Sequence, residues 1–257
     1  LWFTDQHAGA VLALATDGRL ETITRTRDRP GGLCWLPDGT PIVVYMTERR
    51  LMQLGRRGPA DYADLSALAS FHCNDMVADA QGRLYVGNFG FDLHAGEAVR
   101  GAEIVLVDVD RRAEVAATDL IFPNGSVITP DAKTLLVAET FAHRVSALAL
   151  DARGRVRGRR VWAELGEATP DGICLDAQGA LWVASPGTEA LFRIGPTGEI
   201  LAQCVTRGTP YACMLGGADR RTLFVCTAET DRPEEAARRA SGRIEWVRVR
   251  VPGSGLP

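Results

Sequence analysis

A unit of forty-odd residues recurs along this chain, and the recurrence constrains the fold more than any other feature. Each copy is a short loop ending in Pro or a polar residue, an apolar strand, a turn of the type Asp-x-x-Gly, and a second apolar strand. The copies begin at Pro30-Gly31-Gly32-Leu33, Cys73-Asn74-Asp75-Met76, Pro123-Asn124-Gly125-Ser126, Pro170-Asp171-Gly172-Ile173 and Tyr211-Ala212-Cys213-Met214. Their second residues are 43, 50, 47 and 41 positions apart. Asp and Gly tolerate the left-handed backbone angles of tight turns, and the flanking Val, Ile, Leu and aromatics suit strands. Second strands are predicted at Ile42–Tyr45, Leu84–Gly87, Leu135–Ala138, Leu181–Ala184 and Leu223–Cys226. Further strands are predicted at Ile104–Val109, Arg144–Leu150, Ala190–Ile194 and Ile244–Val251. About four strands per repeat is the signature of a propeller blade. The expectation is an all-β chain, one six-bladed β-propeller domain over residues 1–257, with four-stranded blades. Leu1-Trp2-Phe3-Thr4-Asp5 matches the second strand of a blade, as in Leu84-Tyr85-Val86-Gly87-Asn88, so the N-terminal blade is incomplete in this sequence. The strand near Ile244–Val251 is expected to join that blade and close the ring, which removes an exposed sheet edge. The nearest thing to a helix, Arg232–Ala240, is mostly charged and is read as a surface excursion.

Composition narrows the partners. The chain has 257 residues, 46% hydrophobic and 24% charged, as in an ordinary soluble globular protein. Its net charge of −3 comes from interspersed acidic and basic residues, which argues against a nucleic-acid partner. No apolar run reaches membrane-spanning length, and the first residues lack the charged and apolar regions of a signal peptide. The six cysteines, Cys34, Cys73, Cys174, Cys204, Cys213 and Cys226, contain no C-x-x-C pair and fall mostly in apolar strand-like runs. They read as reduced core residues of a cytoplasmic protein, expected as a monomer or weak dimer. The five tryptophans fall on strand positions and read as packing between blades.

In a propeller the starts of the innermost strands surround the axis, so residues at one repeat position converge there. That position holds Gly31, Asn74, Asn124, Asp171 and Ala212. A carboxylate with amide oxygens is what a hard cation selects, whereas zinc prefers Cys and His, absent from that position. Asn and Asp at such junctions also cap turns through their own backbone, and singly each is open to that reading. The shared Pro-(Asn/Asp)-Gly frame of Asn124 and Asp171 favours the cation. Second strands end at Asp5, Met46, Asn88, Glu139, Ser185 and Thr227. Glu139, a carboxylate closing an apolar strand, is either a support for Asn124 or an exposed strand-end charge. The long, aromatic, Gly-rich stretch from Asn88 to Glu97 reads as a lid wall or as a plain connection. His7, His94 and His143 lack metal-ligand spacing. No Gly-x-Ser-x-Gly nucleophile frame is present, and Leu215-Gly216-Gly217 is not followed by a helix, which speaks against phosphate binding.

Phe122-Pro123-Asn124-Gly125, the run from Pro170 to Asp176, Cys73-Asn74-Asp75 and the run Cys213-Met214-Leu215-Gly216-Gly217 resemble the senescence-marker/gluconolactonase/regucalcin family. The match covers nearly the whole chain in blade order. The resemblance implies a six-bladed propeller with one divalent ion on its axis, Ca²⁺ foremost with Zn²⁺, Mg²⁺ or Mn²⁺ as alternatives, that hydrolyses a small-molecule sugar lactone. It implies that Asn124 and Asp171 ligate the metal and that Asn74 lies beside it, contacting substrate or a water. Asp171 is the expected base for the attacking water, with acidification by the ion itself as the alternative. His72 stands where several members carry a substrate-contacting Arg, which leaves sugar preference open. His72, Asn74, Asn88 and Glu139 form the expected substrate-binding set, and Asp171 and Asn74 the catalytic one. The family's remaining metal ligand, a Glu in an N-terminal Glu-x-Pro-x-Trp segment, would lie upstream of Leu1, and without it metal affinity is expected to weaken. Two other functions stay open, a related phosphotriesterase-like metal hydrolase and a non-catalytic binding propeller.

Overall fold

The computed structural model describes residues 1–254. Short apolar runs between Asp/Gly turns form six antiparallel sheets, each pairing its strands in chain order. The first holds β1 (Trp2–Asp5), β2 (Ala10–Leu14) and β3 (Leu20–Arg25). The second holds β4 (Pro30–Trp35), β5 (Pro41–Tyr45), β6 (Arg50–Gly55) and β7 (Gly58–Asp64). The third holds β8 (Cys73–Ala78), β9 (Leu84–Asn88), β10 (Ala102–Val107) and β11 (Ala113–Leu120). The fourth holds β12 (Pro123–Ile128), β13 (Thr134–Glu139), β14 (Arg144–Leu150) and β15 (Val156–Glu164). The fifth holds β16 (Ile173–Leu175), β17 (Leu181–Ser185), β18 (Ala190–Ile194) and β19 (Ile200–Val205). The sixth holds β20 (Thr209–Gly216), β21 (Thr222–Ala228) and β22 (Arg243–Arg248). The fold is a six-bladed β-propeller. Its chain divides into two compact units, Leu1–Pro123 and Asn124 onward.

The Asp-x-x-Gly turns form as their chemistry requires. Asp79 Oδ1 accepts from the N–H groups of Gln81 and Arg83 at 2.9 Å, and Gly82 takes a φ of +88°. Asp176 accepts likewise from Gln178 and Ala180, with Gly179 at φ +77°. Burial follows strand position. Every residue of β9 and β17 is buried, while β3, β15 and β19 are largely exposed. The core lies between neighbouring blades. Ile42, Val44 and Leu51 pack with Met76, Leu84 and Val86, and Leu136, Ala138 and Val145 pack with Ile173, Leu181 and Val183. Trp2 meets Trp35 edge-on at 5.6 Å, joining the first and second blades. All six thiols are free, and Cys34, Cys73, Cys174 and Cys213 are buried.

Two expectations need correction. The C-terminal strand does not join the first blade: β22 pairs with β21, with Ile244 opposite Cys226 and Trp246 opposite Phe224. The first and sixth sheets therefore have three strands each rather than four. Pairing with the strand just before it closes a short loop, which costs less chain entropy than a return to the first blade. Because β22 is the outer strand of its sheet, Trp246 is 66% exposed and does not pack between blades. The excursion before β22 is a helix, α1 (Pro233–Arg239), with no buried residue and with Glu234 and Glu235 in its first turn and Arg238 and Arg239 in its last, as the helix dipole favours. No helix among the described residues is long and apolar enough to cross a membrane. Past β22 the chain runs back under the fifth blade. Ala177 N–H donates to Pro252 O at 2.8 Å, and Ser254 N–H to Leu175 O at 3.1 Å.

Candidate functional site

The repeat position singled out in the sequence lies where the innermost strands break register. In β4, Pro30 faces Tyr45 but Leu33 faces Val43; in β8, Cys73 faces Asn88 but Met76 faces Val86. β20 shows the same slip between Pro210 and Ala212. In the fifth blade Asp171 N–H donates to Ala184 O while Ala184 N–H donates to Gly172 O. Each is a β-bulge, one extra residue on the inner strand, and bulges re-aim side chains. The glycines of the Pro-x-Gly frames have a separate cause. A Cβ on Gly125 would stand 2.5 Å from Asp171 O, and one on Gly172 would stand 2.7 Å from the Cα of Ala212. These glycines let the backbone of the next blade approach.

In the second unit the structure brings Asn124 and Asp171 together. Gly125 N–H donates to Asp171 O at 3.2 Å, so the two strand starts touch. Asn124 is buried and Asp171 half-buried. Thr140, on a short 3-10 turn at the end of β13, donates its hydroxyl proton to Pro170 O at 2.8 Å. It has no second proton, so toward Asn124 Nδ2, 3.1 Å away, it can only accept. That fixes which end of the amide is nitrogen and turns Asn124 Oδ1 away from Thr140. An oriented amide oxygen with a neighbouring carboxylate suits a hard cation. Among the described residues no group of three or more His, Cys, Asp and Glu side chains forms a metal centre, so a cation here would draw on amide oxygens as well. Tyr211 lies in the next inner strand, β20; burial, then the charges of Asp231, Asp171 and Glu189, push its phenol well above the usual range.

In the first unit His72 and Asn74 sit on the same loop and strand start. Asn74 is buried in β8. His72 is half-buried, stacked on Phe71 with ring centroids 4.1 Å apart, and its carbonyl accepts from Phe89 N–H at 2.9 Å. Burial first, then the Arg29 charge, holds its imidazole below the ordinary value, against the opposing pull of Asp92 and Asp28. The stretch from Asn88 onward is internally bonded. Phe89 stacks on Phe122 at 4.4 Å, and Asp92 Oδ1 accepts from the N–H groups of His94 and Ala95.

Asn88 and Glu139 are both 0% exposed. Asn88 Oδ1 accepts from Ser70 Oγ and from the N–H groups of Phe71 and Gly90, and its Nδ2 donates to Glu103. Glu139 takes a two-pronged bond from Arg144, at 3.0 and 3.1 Å, and one from the Ser146 hydroxyl. Ser185 and Thr227, at the same repeat position, accept from Thr169 N–H and donate to Glu245. The ends of the second strands thus anchor their loops, and neither Asn88 nor Glu139 has an exposed face for a ligand. Glu139 is not the exposed charge that was one of its two readings. Thr140, Tyr211 and Arg29 were not singled out from sequence. Arg29 could have been found by comparing the residues just before each copy, Arg29, His72, Phe122, Thr169 and Pro210.

A 6-deoxy-6-sulfogluconolactonase of Pseudomonas putida is 30% identical over 191 residues, 72% of this chain and 64% of its own length. A pentonolactonase of Haloferax volcanii is 28% identical over 194 residues, again 72% of this chain and 64% of its own. The aligned region thus spans less than two thirds of either relative. In structure, a calcium-binding protein, regucalcin, from Agrobacterium tumefaciens superposes with a TM-score of 0.83 over 100% of this chain and 88% of its own, at 22% identity, a likeness of fold. Residues 1–229 match the SMP-30/Gluconolactonase/LRE-like region, and the chain belongs to that family.

Proposed function

We propose that this chain hydrolyses sugar-type lactones with one divalent cation, Ca²⁺ foremost, held by Asn124 and Asp171, and that residues 1–257 act as one domain. The observation that carries this reading is the hydrogen-bond chain from Asn124 Nδ2 through Thr140 Oγ1 to Pro170 O, which ties the Asn124 amide to the residue preceding Asp171 and turns its oxygen away from Thr140. Membership of a family whose curated members include lactonases supports the substrate class. A divalent ion, when bound, polarises a lactone carbonyl and acidifies water. Asp171 takes the proton of the attacking water. The water oxygen bonds to the carbonyl carbon, the ring C–O bond breaks, and the departing alkoxide takes back the proton held by Asp171, leaving a hydroxy acid that ionises. Asn74 holds the substrate through its amide, and His72 contacts it as a neutral ring. Asn88 and Glu139 act as positioning residues, through the loop after β9 and through the turn that carries Thr140.

The test is hydrolysis of gluconolactone followed by pH-stat, with Ca²⁺, Mg²⁺, Mn²⁺ or Zn²⁺ added and with EDTA. Metal-dependent turnover is expected, and Asp171→Ala should lower kcat/KM roughly 1,000-fold with circular dichroism unchanged. Retention of most activity by that variant would overturn the role of Asp171. Turnover of a phosphotriester and of no lactone would move the reading to a related hydrolase.

A further inference from the structure

Arg29 is the residue just before the innermost strand of the second blade, as His72 is just before that of the third. It is half-buried, and among the described residues its guanidinium has neither an ion-pair nor a hydrogen-bond partner. Its backbone, by contrast, is firmly held. Arg29 N–H donates to Asp28 Oδ1 at 2.7 Å, and Arg29 O accepts from Met46 N–H at 2.9 Å. Met46 O in turn accepts from Cys73 N–H at 3.0 Å, so a single residue, Met46, links Arg29 to the residue that follows His72. The two strand starts abut: a Cβ on Gly31 would stand 2.7 Å from Asn74 O, and one on Gly32 would stand 2.5 Å from Met76 N.

The carboxylates nearby are engaged in holding backbone. Asp28 accepts from Arg29 N–H, Glu48 N–H and the Thr47 hydroxyl, and Asp92 from His94 and Ala95 N–H. Arg49, the other cation of this corner, donates to Ala69 O at 3.0 Å. A guanidinium presents five donors in a planar fork suited to a carboxylate, and partial burial without an anion is unfavourable. The rings of Phe71 and Phe89 flank His72 and lower the local dielectric, which strengthens any ion pair formed there.

We infer that Arg29 recognises an anionic substituent of the substrate, a carboxylate borne by the lactone, beside His72 and Asn74. This rests on the lactone reading above and deepens it: the substrate class is a lactone with a second acidic group, and the cation that reads it comes from the blade before His72. The decisive pair of probes is D-glucono-1,4-lactone and D-glucaro-1,4-lactone, which differ only in a terminal hydroxymethyl or carboxylate. The wild type should prefer the glucarolactone. Arg29→Gln should lower kcat/KM for it about 100-fold, mostly through KM, and shrink the preference at least about tenfold, with Arg29→Lys intermediate. Equal proportional losses on both lactones would overturn the inference.

Calorimetric titration with glucarate and gluconate tests the same claim without turnover. Glucarate should bind the wild type and lose at least about tenfold in affinity in Arg29→Gln, more than gluconate does. If glucarate does not bind the wild type, or both anions weaken alike, the inference fails. Arg29-dependent glucarate binding without hydrolysis of either lactone would sink the hydrolase reading, and with it the lactone substrate, and leave only Arg29 as the cation that binds a sugar acid.

Discussion

Thr140 is one hydroxyl between two blades, and its proton count decides how Asn124 points. Its removal has two separable effects. Thr140→Val leaves two buried groups, Asn124 Nδ2 and Pro170 O, without this partner, which should cost about 1–3 kcal/mol in urea unfolding. It also frees the amide to rotate, so lactone turnover should need more added metal. Thr140→Ser keeps the hydroxyl and should restore both, and a Ser variant as impaired as Val would show that the hydroxyl alone does not carry the effect. The sequence made Asn124 and Asp171 visible because they occupy one repeat position. Thr140 was invisible because its partners lie 16 and 30 residues away, and Thr47, at the same repeat position, bonds Asp28 instead. Glu139 was visible as a carboxylate closing an apolar strand. Its true partner, Arg144, faces it directly across the β13–β14 ladder, which a register drawn from the turn would have revealed.

At the scale of the strand, the Pro-x-Gly frame serves two masters: its middle residue is the proposed ligand, and its glycine is a packing requirement. Gly125→Ala and Gly172→Ala each force a Cβ against backbone atoms, at 2.5 and 2.7 Å, which no rotamer change relieves. Each should lower the urea midpoint by the equivalent of about 1–3 kcal/mol. Gly158→Ala, on β15 with nothing within 4 Å of its Cβ, is the matched control and should change little. Comparable losses in all three would mean that glycine matters here for some reason other than close approach. Most strand positions were legible because the Asp/Gly turns punctuate the apolar runs. The partner of β22 was not, since its alternation of half-buried and exposed residues suits any open sheet edge. Loop-closure entropy, which leaves no mark in a hydrophobic pattern, made that choice.

Across the whole molecule, burial sets thiol chemistry. It pushes Cys34 and Cys73 up to about 12 from an ordinary 9.0, and Cys226 up to about 11. These three thiols therefore stay protonated at pH 8 and should react with a chromogenic disulfide far more slowly than in the urea-unfolded chain. Cys204, half-buried, should be labelled first by mass-spectrometric mapping. Rates equal to those of the unfolded chain would contradict the burial. The sign for stability follows: the folded state keeps protons that the unfolded thiols release above 9.0, so this contribution is complete below 9.0 and is lost as pH rises toward 12. The segment after β22 adds a constraint of another kind. Ser254 reaches Leu175 across 79 positions, so the fifth blade is complete in its own four strands yet is fastened by a stretch made much later during synthesis. A nascent chain that has just finished β19 holds that blade with the Ala177 N–H and Leu175 O still waiting. The last bond of the fifth blade is therefore a long-range one, and the order in which blades are translated is not the order in which they become secure.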